Sequence, residues 1–123
     1  MGRRVLVVED EPYLREAVAE ALALEGFEVT QAASGDEAAG LIDDEDGFDL
    51  LLTDVQMPGA LDGMGVAARA RARQPGLPIV VATGRRGVQA RVDALQPRCT
   101  LVTKPYGLDK ILHAIDDVCA DGE

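Results

Sequence analysis

The chain has 123 residues, a length at which one compact domain buries most of the surface that the unfolded chain exposes. Hydrophobic residues make up 47% and charged residues 28% of it, which is typical of a globular protein and excludes an intrinsically disordered one. The formal net charge of −10 would repel phosphate backbones and anionic lipid headgroups, so we expect no direct binding to nucleic acid or to membranes.

The sequence predicts neither a targeting signal nor a cysteine-based metal site or disulfide. No apolar run approaches the roughly 20 residues of a transmembrane helix, and the start MGRRVLVVED does not resemble a cleavable signal peptide, so we expect a cytoplasmic protein. Cys99 and Cys119 have neither CxxC spacing nor a histidine cluster nearby, which favours reduced, buried thiols over a disulfide. His113 lies in an amphipathic helical stretch and is assigned no role.

Short apolar runs alternate with stretches of helical periodicity along the whole chain. In chain order we predict strand 5–8, a helix from Pro12 that ends at Gly26, strand 28–32, helix 36–44, strand 50–52, helix 63–73, strand 79–82, helix 87–95, strand 101–102 and helix 108–119. Four of these strands are continuous rather than alternating apolar runs, a pattern typical of strands buried on both faces of a parallel sheet. The less apolar strand 28–32 suits a sheet edge.

Five β-α units predict one α/β domain over residues 1–123, with a flavodoxin-like, doubly wound sheet. Right-handed crossovers place the five helices on both faces of a five-stranded parallel sheet, for which 2-1-3-4-5 is the common strand order. In such sheets, ligands bind beyond the carboxyl ends of strands 1 and 3, where the order reverses. The candidate site therefore has a predicted location.

Chemically distinctive side chains follow four of the five strands. They are Glu9 and Asp10 after the first, Asp54 after the third, Thr83 after the fourth and Lys104 after the fifth. Because the carboxyl ends of parallel strands meet at one edge of the sheet, we expect all of them to converge. A lone acidic loop residue is usually only a solvated charge, whereas this convergence indicates a functional site.

Three converging carboxylates predict a bound cation. At about 4 Å and an effective dielectric constant near 20, each pair of carboxylates repels by on the order of 4 kcal/mol. Mg²⁺ suits this site because it takes oxygen ligands from one or two carboxylates, waters and a phosphate. A Ca²⁺-binding EF-hand is less suitable, because its ligands come from one loop of about twelve residues rather than from separate strands.

Phosphoryl transfer is the chemistry that this set of residues predicts. A carboxylate beside Mg²⁺ can act as a nucleophile, so Asp54 would form an aspartyl phosphate. Lys104 would neutralise charge on the phosphoryl oxygens, and the Thr83 hydroxyl would donate a hydrogen bond to one of them.

The chain resembles the receiver domain of two-component response regulators over essentially its whole length. The matching motifs are VVEDEP around Glu9 and Asp10, LLTDVQMPG around Asp54, VATG around Thr83 and VTKPY around Lys104. This resemblance implies that Asp54 is the phosphoacceptor and that Asp10 and Asp54 bind Mg²⁺ directly. It also implies that Glu9 binds the ion through water, that the backbone carbonyl of Gln56 is a further ligand, and that Pro105 is a cis-proline that aims Lys104 into the site.

Two positions depart from the family pattern. Leu101 stands where many receivers carry the Tyr or Phe that swings inward on phosphorylation, and the aromatic residue here is Tyr106. The stretch PIVVATGRR partly resembles a single-domain subgroup with a PFxFATGY motif. With Leu101 in place of the aromatic, we expect conformational change in loop 84–87 and the helix after it. Arg85 and Arg86 there either contact an acidic partner or the phosphoryl group, or form an ordinary solvated pair.

The leading functional hypothesis is a stand-alone receiver, phosphorylated by a histidine kinase or a histidine phosphotransfer protein. Its output would be contacts with an unknown downstream protein, since no residues remain for a DNA-binding effector, and we expect no catalysis beyond its own phosphoryl transfer and dephosphorylation. The alternatives are a phosphate sink or shuttle, and a receiver excised from a hybrid histidine kinase, which the segment MPGALDG resembles. A non-phosphorylated adaptor would not need the intact site, and a nucleotide binder would need GxGxxG or GxxxxGK[ST] after the first strand.

Overall fold

The computed structural model describes residues 3–44, 47–57, 59–84 and 87–120. In chain order its elements are β1 Arg4–Val8, α1 Pro12–Leu24, β2 Glu28–Ala32, α2 Gly35–Asp44, β3 Leu50–Asp54, α3 Gly63–Arg73, β4 Ile79–Thr83, α4 Gln89–Asp93, β5 Cys99–Thr103 and α5 Leu108–Ala120. The strands pair in parallel in the order β2-β1-β3-β4-β5. The predicted fold class, strand order and edge position of β2 are confirmed.

Helix α4 is shorter than the predicted helix 87–95. Gly87 has a φ of +85°, a left-handed conformation that an α-helix does not contain, and Val88 at the N-cap makes no side-chain capping hydrogen bond. The prediction of 87–95 was therefore wrong at both ends, because apolar spacing does not report backbone conformation. β2 and α3 have their predicted bounds, and the other elements differ from theirs by at most two residues at either end.

Helix α1 begins where its sequence predicts. Pro12 occupies the first turn, where a missing backbone N–H costs no hydrogen bond. The carboxylate of Glu11 accepts hydrogen bonds from the backbone N–H groups of Tyr13 and Leu14, at 3.0 and 3.3 Å. These bonds fix the start of the helix directly after the loop that carries Glu9 and Asp10.

The sheet separates two apolar layers, which take alternate residues of each central strand. The α1/α5 layer combines those helices with one face of the sheet, and its buried residues are Val5, Val7, Val18, Leu22, Leu50, Leu52, Val80, Val102, Ile111, Ala114, Ile115 and Val118. The α2/α3/α4 layer lies on the other face and includes Leu6, Val8, Ile42, Leu51, Val66, Ala67, Ile79, Val81 and Val92. Burial on both faces explains why these strands are continuous apolar runs. None of the helices within the described residues has the length and apolar character needed to cross a bilayer.

Candidate functional site

Glu9, Asp10 and Asp54 come together at the carboxyl ends of β1 and β3, as predicted. The register pairs Val8 with Thr53, so the residue after each of these positions lies at the same edge of the sheet. One carboxylate oxygen from each of the three acids lies within 4.8 Å of the others. Glu9 and Asp54 are both only 5% exposed, whereas Asp10 is more accessible. The cluster is therefore accessible on the Asp10 side.

Lys104 reaches this cluster from the end of β5. Its Nζ lies 3.1 Å from Oε1 of Glu9 and 3.2 Å from Oδ2 of Asp54. Burial lowers the pKa of Lys104, but the hydrogen bond to Glu9 and the charges of Asp54 and Glu9 outweigh that effect and raise the pKa above its usual value. The ammonium is therefore charged at neutral pH and neutralises part of the acidic cluster.

Glu9 is held from several directions. Burial, together with the charge of Asp54, raises the pKa of Glu9 above its usual value, although its hydrogen bonds from the Glu11 N–H and Lys104 act in the opposite direction. The Glu11 N–H donates to Oε2 of Glu9 at 3.1 Å. Arg15 was not predicted from the sequence as part of this site, yet its Nη1 donates to the backbone carbonyl of Glu9 at 3.0 Å. Its location on α1, one turn after the acidic loop, was the only available signal.

The remaining predicted site residues occupy the same edge of the sheet. Thr83 ends β4, is 1% exposed, and its backbone carbonyl accepts a hydrogen bond from the Lys104 N–H at 2.9 Å. Gln56 lies two residues beyond Asp54 and is exposed, and its role as a carbonyl ligand stays a prediction. The Lys104–Pro105 peptide is cis, as the family resemblance implied, and the Gln96–Pro97 peptide is also cis.

Tyr106 borders the site on the side of the α1/α5 layer. Its half-buried ring packs against that layer and lines a cavity of about 10 Å³ together with Glu9, Val18 and Asp54. Burial raises the pKa of Tyr106, and the negative charges of Glu9 and Asp54 raise it further. Motif reading identified this tyrosine only as a departure from the family pattern, because it does not show which face of the sheet the ring occupies.

Gly63 is a second residue that sequence reasoning missed. A Cβ at this position would lie 1.8 Å from the backbone oxygen of Asp54 and 2.7 Å from Cα of Val55. The Gly63 N–H donates to the backbone carbonyl of Val55 at 2.9 Å, so the start of α3 rests directly on the chain that follows Asp54. Only glycine fits this contact without displacing the Asp54 backbone.

Other residues singled out in the sequence lie away from this cluster. His113 has an 80% exposed side chain, and its Nε2 lies 3.7 Å from Asp117, one turn along α5. Cys99 is buried as predicted, whereas Cys119 is only partly buried, so the prediction of two buried thiols was wrong for Cys119, and their reduced state stays a prediction. Arg85 and Arg86 lie outside the described residues, so the interpretations of this pair stay untested.

The donor set fits a hard divalent cation. Three carboxylates supply oxygen ligands within a few ångströms, and one side of the cluster is accessible for water and a phosphoryl group. Among the residues that the structure describes, no sulfur or imidazole ligand belongs to the cluster. Lys104 supplies a further positive charge beside Asp54. Together these groups can bind a transferring phosphoryl group and offer it a carboxylate oxygen.

Comparisons with known proteins agree with this geometry. The sequence model described as the response regulator receiver domain matches residues 5–116. The transcriptional regulatory protein TcrA of Mycobacterium tuberculosis is 38% identical over 111 residues, which cover 89% of this chain and 43% of TcrA. The response regulator MprA of Mycobacterium bovis is 37% identical over 113 residues, which cover 91% of this chain and 48% of MprA. The chain thus spans less than half the length of these two relatives.

The fold has a close structural counterpart as well. The crystal structure of a response regulator receiver protein from Sinorhizobium medicae superposes with a TM-score of 0.89 at 25% sequence identity. The superposition covers 99% of this chain and 98% of that one. The similarity therefore extends over the whole architecture rather than over one motif.

Proposed function

This chain belongs to the response regulator receiver domain family, and from that membership we propose that Asp54 is its phosphoacceptor, in a site that binds Mg²⁺. The observation that carries the assignment is the position of Lys104, whose ammonium contacts both Glu9 and Asp54. The acidic cluster and its counter-charge come from residues at or directly after the ends of β1, β3 and β5. A receiver domain of a two-component system uses such a site for phosphorylation, and its partners are histidine kinases or phosphotransfer proteins.

In the proposed reaction, a carboxylate oxygen of Asp54 attacks the phosphorus atom of a phosphohistidine on the partner. The O–P bond forms as the N–P bond breaks, and the leaving imidazole takes up a proton. Lys104 holds the transferring oxygens beside Asp54, and the Thr83 hydroxyl donates a hydrogen bond to one of them. Asp54 is only 5% exposed, so the phosphoryl donor must approach it from the accessible side of the cluster.

The residues proposed to hold Mg²⁺ are Asp10 and Asp54 directly, Glu9 through water, and Gln56 through its backbone carbonyl. When bound, the ion supplies positive charge that compensates the carboxylates and the phosphoryl oxygens. The mutual distances of the three carboxylates support this assignment. The Gln56 carbonyl rests on the family resemblance and on its place two residues after Asp54.

The wider role is a signalling module whose output is a contact with another protein, and we propose no catalytic activity beyond its own phosphorylation and dephosphorylation. Family membership also leads us to propose that it acts in the cytoplasm. The two relatives are named as a transcriptional regulatory protein and a response regulator, which favours this role over a segment of a hybrid kinase.

The test is chemical phosphorylation of the whole chain. Incubation with acetyl phosphate and Mg²⁺ should add one acid-labile phosphoryl group, visible by intact-mass spectrometry. Asp54→Asn should remove this uptake, while Asp44→Asn, which changes an exposed acid at the end of α2, should retain it. Undiminished uptake by Asp54→Asn would show that the acceptor is another residue. The decay of the adduct after the donor is removed measures the phosphoryl lifetime, and a lifetime of many hours would exclude a phosphate sink.

A further inference from the structure

Two residues near the carboxyl end of β5 lie on opposite faces of the sheet. Leu101 packs against the α2/α3/α4 layer, whereas Tyr106 packs against the α1/α5 layer. Leu101 is an aliphatic side chain with no polar atom that could respond to charge at the acceptor. The aromatic residue of this segment is thus on the side of α1 and α5.

Tyr106 also shares a boundary with the acceptor. It lines the same cavity of about 10 Å³ as Glu9 and Asp54, a space for about one water molecule at most. Val18 of α1 lines that cavity too, so Asp54, the Tyr106 ring and the first helix all border the same small space. A rearrangement of the Asp54 side chain therefore changes the packing surface of the Tyr106 ring.

A short covalent path leads from the site to α5. Lys104 contacts Asp54, Tyr106 follows two residues later, and the carbonyl of Gly107 accepts the N–H groups of Lys110 and Ile111 at 3.1 and 3.4 Å. Ile111 is fully buried in the α1/α5 layer, which also receives the Tyr106 ring. The first turn of α5 is therefore attached to the same segment that positions the lysine.

Phosphorylation changes the contacts at the beginning of this path. Before phosphorylation, the ammonium of Lys104 bridges Glu9 and Asp54, at 3.1 and 3.2 Å. A phosphoryl group on Asp54 adds negative charge and three strong acceptor oxygens, for which the ammonium has greater affinity than for a carboxylate alone. The ammonium must redistribute its hydrogen bonds, and the Tyr106 ring, packed two residues away, is the nearest large side chain along that segment.

We propose that Tyr106 is a positioning residue that couples phosphorylation of Asp54 to the first turn of α5, so that a signal leaves the site on the α1/α5 face. This proposal rests on the proposed phosphorylation of Asp54. The coupling depends on the packing of the Tyr106 ring and not on its hydroxyl group. The α1/α5 face consequently presents a different surface to a protein partner in the two states.

Hydrogen exchange on the full chain tests the proposal. Amide exchange is compared with and without beryllofluoride and Mg²⁺, and acetyl phosphate uptake is measured in parallel. Peptides covering residues 106–115 should change their exchange rate by about threefold or more on loading. Failure of phosphoryl uptake would contradict the proposed function, whereas normal uptake with unchanged exchange at 106–115 would overturn only the coupling. Changes confined to 84–95 would overturn it as well.

Matched variants identify the residue responsible. Tyr106→Leu should remove the exchange response of α5, Tyr106→Phe should keep it, and Leu101→Val should leave it unaltered. A response that persists in Tyr106→Leu, or that is lost in Tyr106→Phe or Leu101→Val, would overturn the proposal.

A spectroscopic measurement does not depend on the stability of Tyr106→Leu. The chain has two tyrosines and no tryptophan, and Tyr13 is 84% exposed. Tyr13→Phe therefore leaves Tyr106 as the single reporter of intrinsic fluorescence. Its emission should change when beryllofluoride and Mg²⁺ bind, and emission that stays constant in a protein shown to load would overturn the coupling.

Discussion

The ammonium nitrogen of Lys104 lies 3.1 Å from Oε1 of Glu9, a carboxylate whose side chain is 6% exposed. The same nitrogen contacts Asp54, so one cation occupies the space between two buried acids. The ammonium would repel a divalent cation bound at this cluster. We therefore expect Lys104 to favour the phosphorylated state but to oppose Mg²⁺ binding before phosphorylation.

Lys104→Met should therefore separate metal binding from phosphorylation. We expect Mg²⁺ to bind about tenfold more tightly, a gain of ~1.4 kcal/mol, because the competing positive charge is gone. Phosphoryl uptake should fall by about 100-fold, because a charge that stabilises the transferring oxygens is lost. Titration calorimetry and uptake from acetyl phosphate measure the two effects. Lys110→Met, at an exposed position of α5, is the control, and weaker Mg²⁺ binding in Lys104→Met would contradict the argument.

Asp10→Asn should make the metal-free protein more stable while weakening its metal site. The substitution removes one of three mutually repelling carboxylates, and since Asp10 is partly exposed we expect a gain of about 1 kcal/mol, or roughly 4 °C in Tm. Mg²⁺ should raise the Tm of the unaltered chain and have little effect on the variant, because ligands stabilise a fold in proportion to their affinity. Thermal melts with and without Mg²⁺ check both statements. If Mg²⁺ raised the Tm of both proteins equally, Asp10 would not be a ligand of the ion.

The strand order and the location of the site follow from local features of the sequence. Continuous apolar runs indicated strands buried on both faces, and the topology of such sheets places Glu9 and Asp54 at one edge. The contacts of Gly63 and Arg15 could not be predicted in this way. Gly63 contacts the end of β3 only because the loop after β3 folds back onto it, and Arg15 reaches the end of β1 only because of the direction that α1 takes. No local residue pattern encodes either path.

The length of α4 was misjudged for a related reason. Apolar periodicity reports which side of a helix is buried, but the ends of a helix are set by capping groups and backbone conformation. Gly87 takes a left-handed conformation and Val88 provides no cap. The position of the Tyr106 ring likewise depends on the turn into α5 rather than on strand alternation, so its face of the sheet could not be predicted.

Gly63→Ala should disrupt the acceptor without altering any chemical group of the site. The added methyl would overlap the Asp54 carbonyl, which must move, and we expect a loss of about 3 kcal/mol in the free energy of unfolding, with reduced phosphoryl uptake. Gly40→Ala is a matched control, because a Cβ there meets no atom within 4 Å and alanine favours the helix by roughly 0.5–1 kcal/mol. Urea unfolding compares the two variants. Equal stability of Gly63→Ala and the unaltered chain would refute the close approach.

Arg71 should contribute more to stability than its neighbours on α3. Its guanidinium donates to the backbone carbonyls of Leu77, Leu95 and Arg98. These bonds join α3 to the α3–β4 loop and to the α4–β5 loop. Burial lowers the pKa of Arg71, but the group stays charged at any ordinary pH. Arg71→Met removes this donor from the Leu77 and Leu95 carbonyls, while the Arg98 carbonyl keeps the Ile79 N–H at 2.8 Å, and the substitution should cost about 2 kcal/mol.

Arg69→Met is the control for this measurement, because Arg69 and its partner Asp43 form an exposed ion pair, which typically contributes little. Urea unfolding of both variants, with hydrogen exchange at residues 94–99, would locate the effect. Similar midpoints for the two variants would show that the carbonyl contacts of Arg71 do not stabilise the fold.

The two thiols should differ in reactivity. Burial raises the pKa of Cys99 to about 11, so that at pH 8 only about one thiol in a thousand is ionised, and its side chain is 4% exposed. Burial also raises the pKa of Cys119, but this residue is partly exposed and Nη2 of Arg3 lies 2.8 Å from its Sγ. Iodoacetamide at pH 8 should therefore alkylate Cys119 at least about tenfold faster, and Cys99 should react at a comparable rate only after unfolding in urea. Peptide mass spectrometry distinguishes the two sites. Rapid alkylation of Cys99 in the folded protein would mean that β5 opens from the sheet edge far more readily than its burial implies.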